Sequence, residues 1–132
     1  MEHIIIDAKG LIIGRLATYA AKQALLGNKI DVVNCGEAII TGKRQEIIES
    51  YKQKVLRGNV FKGPFISRNP DRLVRRTIRG MLPYKNYRGK IAFKNVMCYN
   101  TVPFEFKDKE KLNFKKTMKG RYMTLSQISK LI

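Results

Sequence analysis

Apolar and polar positions along this chain change their spacing several times, and each change marks an element. Ile4-Ile5-Ile6 is a short β-branched run that predicts an interior strand. After a turn around Gly10, the spacing lengthens to that of a helix over residues 13–26. Ile13, Leu16, Ala17, Ala20, Ala21 and Ala24 share one face, with Arg15, Thr18 and Lys22 opposite. The alanines let such a helix approach a sheet closely, and Gly27-Asn28 supplies its stop. Ile30 to Cys35 reads as a second strand, and Ala38-Ile39-Ile40 as a third short apolar run ended by Thr41-Gly42. Residues 43–57 predict a second amphipathic helix burying Ile47, Ile48, Tyr51 and Val55. Strand, helix, strand and helix in this order is the βαβ signature of an α/β fold with a parallel sheet and covered faces.

The periodicity lapses between Arg57 and Asn69. RGNVFKGPFISRN carries Gly58, Gly63 and Pro64, with Phe61 and Phe65 set among basic residues, and predicts an extended basic loop that orders on binding. Asn69-Pro70 reads as an N-cap followed by proline at the first helical position. That helix runs to about Leu82, where Pro83 stops it. A short helix at 88–94 and a strand from Val96 to Tyr99 follow. Residues 103–121 are lysine-rich and irregular, and the chain ends in a short helix capped by Thr124 or Ser126. The pattern predicts one domain over residues 1–132, without internal repeats.

Charge changes the picture. The 27 Lys and Arg outnumber the 10 Asp and Glu, for a formal net charge of +17. A small domain stays soluble with roughly 2 to 8 net charges, so the excess calls for a polyanionic partner. It is also localised. Residues 1–51 hold six basic and six acidic side chains, whereas residues 52–94 hold thirteen basic residues against the single acid Asp71. A solubility device spreads its charge; a binding surface concentrates it.

Helix 70–82 concentrates it most. Arg72, Arg75, Arg76 and Arg79 fall at i, i+3, i+4 and i+7 and form one stripe, with Leu73, Val74, Thr77, Ile78 and Met81 on the other side. An ordinary solvated face interleaves acids with bases, because like charges at that spacing repel by a few tenths of a kcal/mol per pair. Guanidinium, a planar fork, donates two hydrogen bonds to a phosphate and stacks on bases. Phosphate binding is therefore preferred over a merely solvated face. The preceding loop adds Arg57, Lys62 and Arg68, and the following turn adds Lys85, Arg88 and Lys90. Phe61 and Phe65 fit two roles equally, stacking on bases or anchoring the loop to the body.

Other chemistry finds little support. The turn DAKGLIIGRLA lacks the spacing of a dinucleotide fingerprint. Gly36 to Gly42-Lys43-Arg44 has five intervening residues and Arg where a P-loop needs Ser or Thr. His3 is the only histidine, expected at a frayed terminus, so no His-based triad or metal site is built on it. Cys35 and Cys98, without a C-x-x-C partner, read as reduced, buried small hydrophobes. Paired carboxylates are conceivable among Asp7, Asp31 and Glu37, but nothing specific places them together. No catalytic residue, cofactor or metal is expected. The opening Met1-Glu2-His3 has no basic n-region, and no apolar run approaches the roughly 20 residues of a membrane span. A cytoplasmic protein is expected.

Four blocks, in order, resemble the universal large ribosomal subunit protein thirteen family. They are GRLATYAAKQALLGNKIDVVNC with the later Ile40-Thr41-Gly42, then GPFISRNP, then RRTIRGMLPYKNYRGKIA, then VMCYNTVP. They cover about three quarters of the chain, and the stretch from Arg79 to Gly89 is the most specific. The G-P-F and R-G pieces and the short length resemble the archaeal and eukaryotic branch, the archaeal type in particular. The resemblance implies a three-layer α/β/α fold with a mostly parallel four-stranded sheet. It further implies a structural role on large-subunit ribosomal RNA, with neighbouring ribosomal proteins as partners, in subunit assembly and translation. Arg76, Arg79, Lys85 and Arg88 lie in the matched block. Two positions depart from the family's pattern: Arg75 stands where relatives often carry an aromatic residue. Asn100 stands where they usually have glycine, which suggests a left-handed turn. A DNA-associated architectural protein and a nucleotide-using α/β enzyme are the competing classes.

Overall fold

The computed structural model describes residues 2–114 and 120–132. The 115–119 part of the expected lysine-rich irregular stretch lies outside the described residues.

Strand β1 (His3–Asp7) and strand β2 (Lys29–Val33) pair in parallel across helix α1 (Ile13–Leu25). The six apolar positions predicted on α1 are the six it buries. Strand β4 (Val96–Cys98) pairs parallel with the far side of β2, matching Ile30 with Val96 and Val32 with Cys98. The sheet order is β1-β2-β4. Strand β3 (Ile39–Thr41) does not join it. It pairs antiparallel with β5 (Tyr122–Thr124) in a separate two-stranded sheet, with an isolated parallel bridge from Ile39 to Ile12 and Met123 packed into the core. The expected four-stranded sheet is thus three strands plus two. The place beyond β1 is taken by a single bridge from Ile6 to Leu112. Three residues of β3 are too few to fix a partner by pattern, and β5 sits in a stretch without alternation.

The layering is also narrower than expected. One sheet face carries Ile6, Ile30, Val32, Val96 and Cys98, and packs on α1 and on helix α3 (Pro70–Gly80) through Leu73, Val74 and Ile78. The other face carries Ile5 and Val33 against Phe106, with Tyr99 and Val102 packed beside them. Among the described residues, a short 3-10 turn at Phe104–Phe106 covers that side where a second helical layer was expected.

Helix α2 (Arg44–Leu56) buries Ile47 alone; Ile48, Tyr51 and Val55 are half-buried. Helix α4 (Tyr87–Lys94) and helix α5 (Leu125–Leu131) fall close to their predicted places. Thr124 and Gln127 close a reciprocal capping box on α5, so Thr124 is the cap of the two candidates. His3 is not frayed: it lies in β1, and its Nε2 hydrogen-bonds with Asp31 Oδ2.

Cys35 and Cys98 are buried and free; Cys98 stands opposite Val32 in the register, and Cys35 follows in the turn after β2. A hydrogen bond to Cys35, followed by burial, holds the Cys98 thiol well above its ordinary value of 9.0. The unfolded state therefore ionises first as pH rises. Stability should be unaffected by this thiol below about pH 9 and decline above it, as followed by urea unfolding between pH 8 and 10.5. Cys98→Ala should flatten that part of the profile.

Candidate nucleic-acid interface

Helix α3 is fixed by its apolar side and presents its arginines from the other. Leu73, Val74 and Ile78 are buried, while Met81, expected among them, caps the helix and is exposed. Pro70 fills the first helical position and Asp71 the first turn, where a carboxylate favours the helix dipole. Asn69 has the backbone conformation of an N-cap, but its side chain makes no capping bond. The bond comes from across the fold, where Asn100 Oδ1 accepts from the Asp71 amide at 2.9 Å. Asn100 is not left-handed as expected; among the described non-glycine residues only Asn34 has positive φ. It serves as a remote cap that glycine would not provide.

The arginine stripe divides into two pairs. Arg72 and Arg76 are exposed. Arg75 and Arg79 are half-buried, each laid over a ring: the Arg75 Cζ is 4.1 Å from the Phe93 centroid and the Arg79 Cζ 4.2 Å from that of Tyr84. Arg75 Nε also donates to the Val96 carbonyl at 3.2 Å. No arginine or lysine among the described residues pairs with a carboxylate.

The 57–69 segment is more ordered than an extended loop. Asn59 and Gly63 exchange two backbone hydrogen bonds, at 3.0 and 2.8 Å, and close a small hairpin. Gly58 makes this possible, since a Cβ there would lie 2.0 Å from the Gly63 carbonyl oxygen and φ is +89°. Phe61 and Phe65 are 89% and 75% exposed, so neither anchors the loop. Lys62 and Arg68 are exposed with them.

Between this segment and α3 runs a groove of about 720 Å³. Arg57, Arg72, Arg75, Arg76 and Arg79 line it, and none of its lining residues is acidic. Five of the ten predicted site residues thus meet in one place. Beyond α3 the chain turns at Pro83 into α4, placing Lys85, Arg88 and Lys90 exposed on the turn and the helix. Gly89 is required there: a Cβ would sit 1.9 Å from the Pro83 carbonyl oxygen.

Phe93, Tyr84 and Ile66 lie beyond the residues predicted from sequence: the first two seat arginines and Ile66 lines the groove. Tyr84 stands five residues past Arg79, beyond the helix stop, and Phe93 reaches Arg75 from another helix. Only Phe93's place among the basic residues of 85–94 hints at it. The carboxylates considered for acid–base work have other partners: Asp31 is buried against His3, and Asp7 accepts from Asn34 at 2.9 Å. Among the described residues no three metal-ligating side chains converge.

Fold and site together define a small basic α/β protein with an arginine-lined surface suited to a polyanion. The family model for ribosomal protein L13 matches residues 1–105. Similar proteins include the large ribosomal subunit protein uL13 of Archaeoglobus fulgidus, 40% identical over 99% of this chain and 88% of that protein. That of Methanocaldococcus jannaschii is 42% identical over 96% of this chain and 94% of its own length. That of Methanopyrus kandleri is 48% identical over 77% of this chain and 64% of its own. This chain belongs to the ribosomal protein L13 family.

Four substitutions test this local architecture by thermal unfolding of the free protein. Asn100→Ala should cost about 1 kcal/mol and Asn69→Ala only a few tenths, reversing what sequence position suggests. Arg75→Ala should cost about 1–2 kcal/mol, through its ring and carbonyl contacts, against little for Arg72→Ala. Equal losses at 75 and 72 would contradict the division of the stripe.

Proposed function

We propose that this chain is a structural constituent of the large ribosomal subunit that binds and stabilises folded large-subunit rRNA through phosphate contacts. It supports subunit assembly and translation in the cytoplasm, beside neighbouring ribosomal proteins, and carries no catalytic site and no cofactor. The observation that carries this reading is the groove lined by five arginines and no acid. Family membership supports the same role, since the relatives are large-subunit proteins by name. No helix among the described residues is long and apolar enough to cross a membrane.

The proposed contact residues are Arg57, Lys62, Arg68, Arg72, Arg75, Arg76, Arg79, Lys85, Arg88 and Lys90. Their parts differ. Arg72 and Arg76, exposed and without carboxylate partners, act as direct phosphate ligands. Arg75 and Arg79 offer guanidiniums already oriented by the rings beneath them, so less side-chain freedom is lost on binding. The lysines and Arg88 on the turn add charge that follows the backbone. A-form RNA favours recognition of this kind, because side chains cannot read its deep, narrow major groove.

Arg72→Glu combined with Arg76→Glu tests the assignment. Both side chains are exposed, so the thermal unfolding midpoint of the free protein should stay within a few degrees of wild type. Incorporation into large subunits, measured by co-sedimentation after a high-salt wash, should be lost. Normal incorporation of the folded double variant would refute the surface. Equal affinity of the wild-type chain for duplex DNA and large-subunit rRNA at moderate salt would favour the architectural DNA reading instead.

A further inference from the structure

The groove beside α3 holds more than charge. Pro64, Phe65, Ile66, Leu73 and Phe93 share its walls with the arginines. Phosphates of a continuous duplex need outward cations and gain nothing from an apolar recess, since paired bases keep their faces stacked inside the helix. The floor is also stiff. The Arg75 guanidinium lies 4.1 Å over Phe93, and its Nε is committed to the Val96 carbonyl. What it offers the groove is a fixed planar face. Phe65, 75% exposed, contributes a second ring from the loop. The volume of about 720 Å³ lies within the roughly 300–1,000 Å³ of sites that take compact organic groups.

A planar group with a polar rim, attached to negative charge, matches these walls. We propose that the groove receives an unpaired nucleobase from a bulge or single-stranded turn of the RNA. The base lies against Arg75 and Phe65, while Arg72 and Arg76 hold the phosphates on either side. This rests on the RNA-binding reading and sharpens it: part of the interface recognises the local opening of the RNA, not its duplex surface. Base stacking on aromatic and guanidinium planes tolerates any base, so the recognition is of an exposed nucleotide more than of a sequence.

The test uses the full chain and a set of RNA hairpins that are identical except at one bulged position. That position carries each of the four bases in turn or an abasic ribose, which leaves the phosphates in place. Binding is measured at two salt concentrations. At least one bulged base should bind about fivefold or more tighter than the abasic hairpin, the low end of a single stacked base. Phe65→Ala should bring that ratio close to one, and its exposure makes the substitution safe for the fold. Salt-sensitive binding that is equal with and without the base would overturn the nucleotide pocket and leave the phosphate surface standing. An absence of salt-sensitive binding to every hairpin would overturn both.

Discussion

Four guanidiniums crowd about two turns of α3 without a carboxylate partner, and the helix is held there by what lies underneath. Like charges three and four residues apart repel by a few tenths of a kcal/mol per pair. Burying Leu73, Val74 and Ile78 on the other side contributes about 1.5–3 kcal/mol for each side chain. Packing wins by a wide margin. The fold can therefore maintain an uncompensated cationic ridge, and the groove, the hairpin loop and the turn at Pro83 are arranged around it.

The neutral half of the chain makes that docking possible. Helix α1 is lined with alanines, which lets α3 and the sheet approach it closely and keeps α3 at the level of β4. Strand β4 and the residues just after it act on α3 twice. The Val96 carbonyl receives Arg75 Nε, and Asn100, just past the strand, caps the first turn. A strand with no charge of its own thus sets the orientation of the arginine stripe.

Much of this was legible in the residues, for identifiable reasons. The buried face of α1 and the stripe of α3 follow from helical spacing over three or more turns, where periodicity is strong. The polyanion-binding character follows from thirteen basic residues and one acid in 43 positions. What was not legible depends on contacts between distant segments. Strands of three residues, β3 and β5, carry no alternation that would name a partner, so the sheet was expected to be larger than it is. Arg75 over Phe93 and Asn100 on the Asp71 amide join residues 18 and 29 positions apart, and no local pattern encodes either pair. The exposure of Phe61 belongs to the same class: it follows from the closed Asn59–Gly63 hairpin, which carries the ring outward.

In the proposed mode of binding, the cations of the middle third meet phosphates directly. The salt dependence of equilibrium binding between the full chain and large-subunit rRNA measures this, because each neutralised phosphate releases counterions. If about half of the thirteen basic residues in 52–94 take part, the slope of log affinity against log salt should be roughly −4 to −6. A slope near zero would contradict the account.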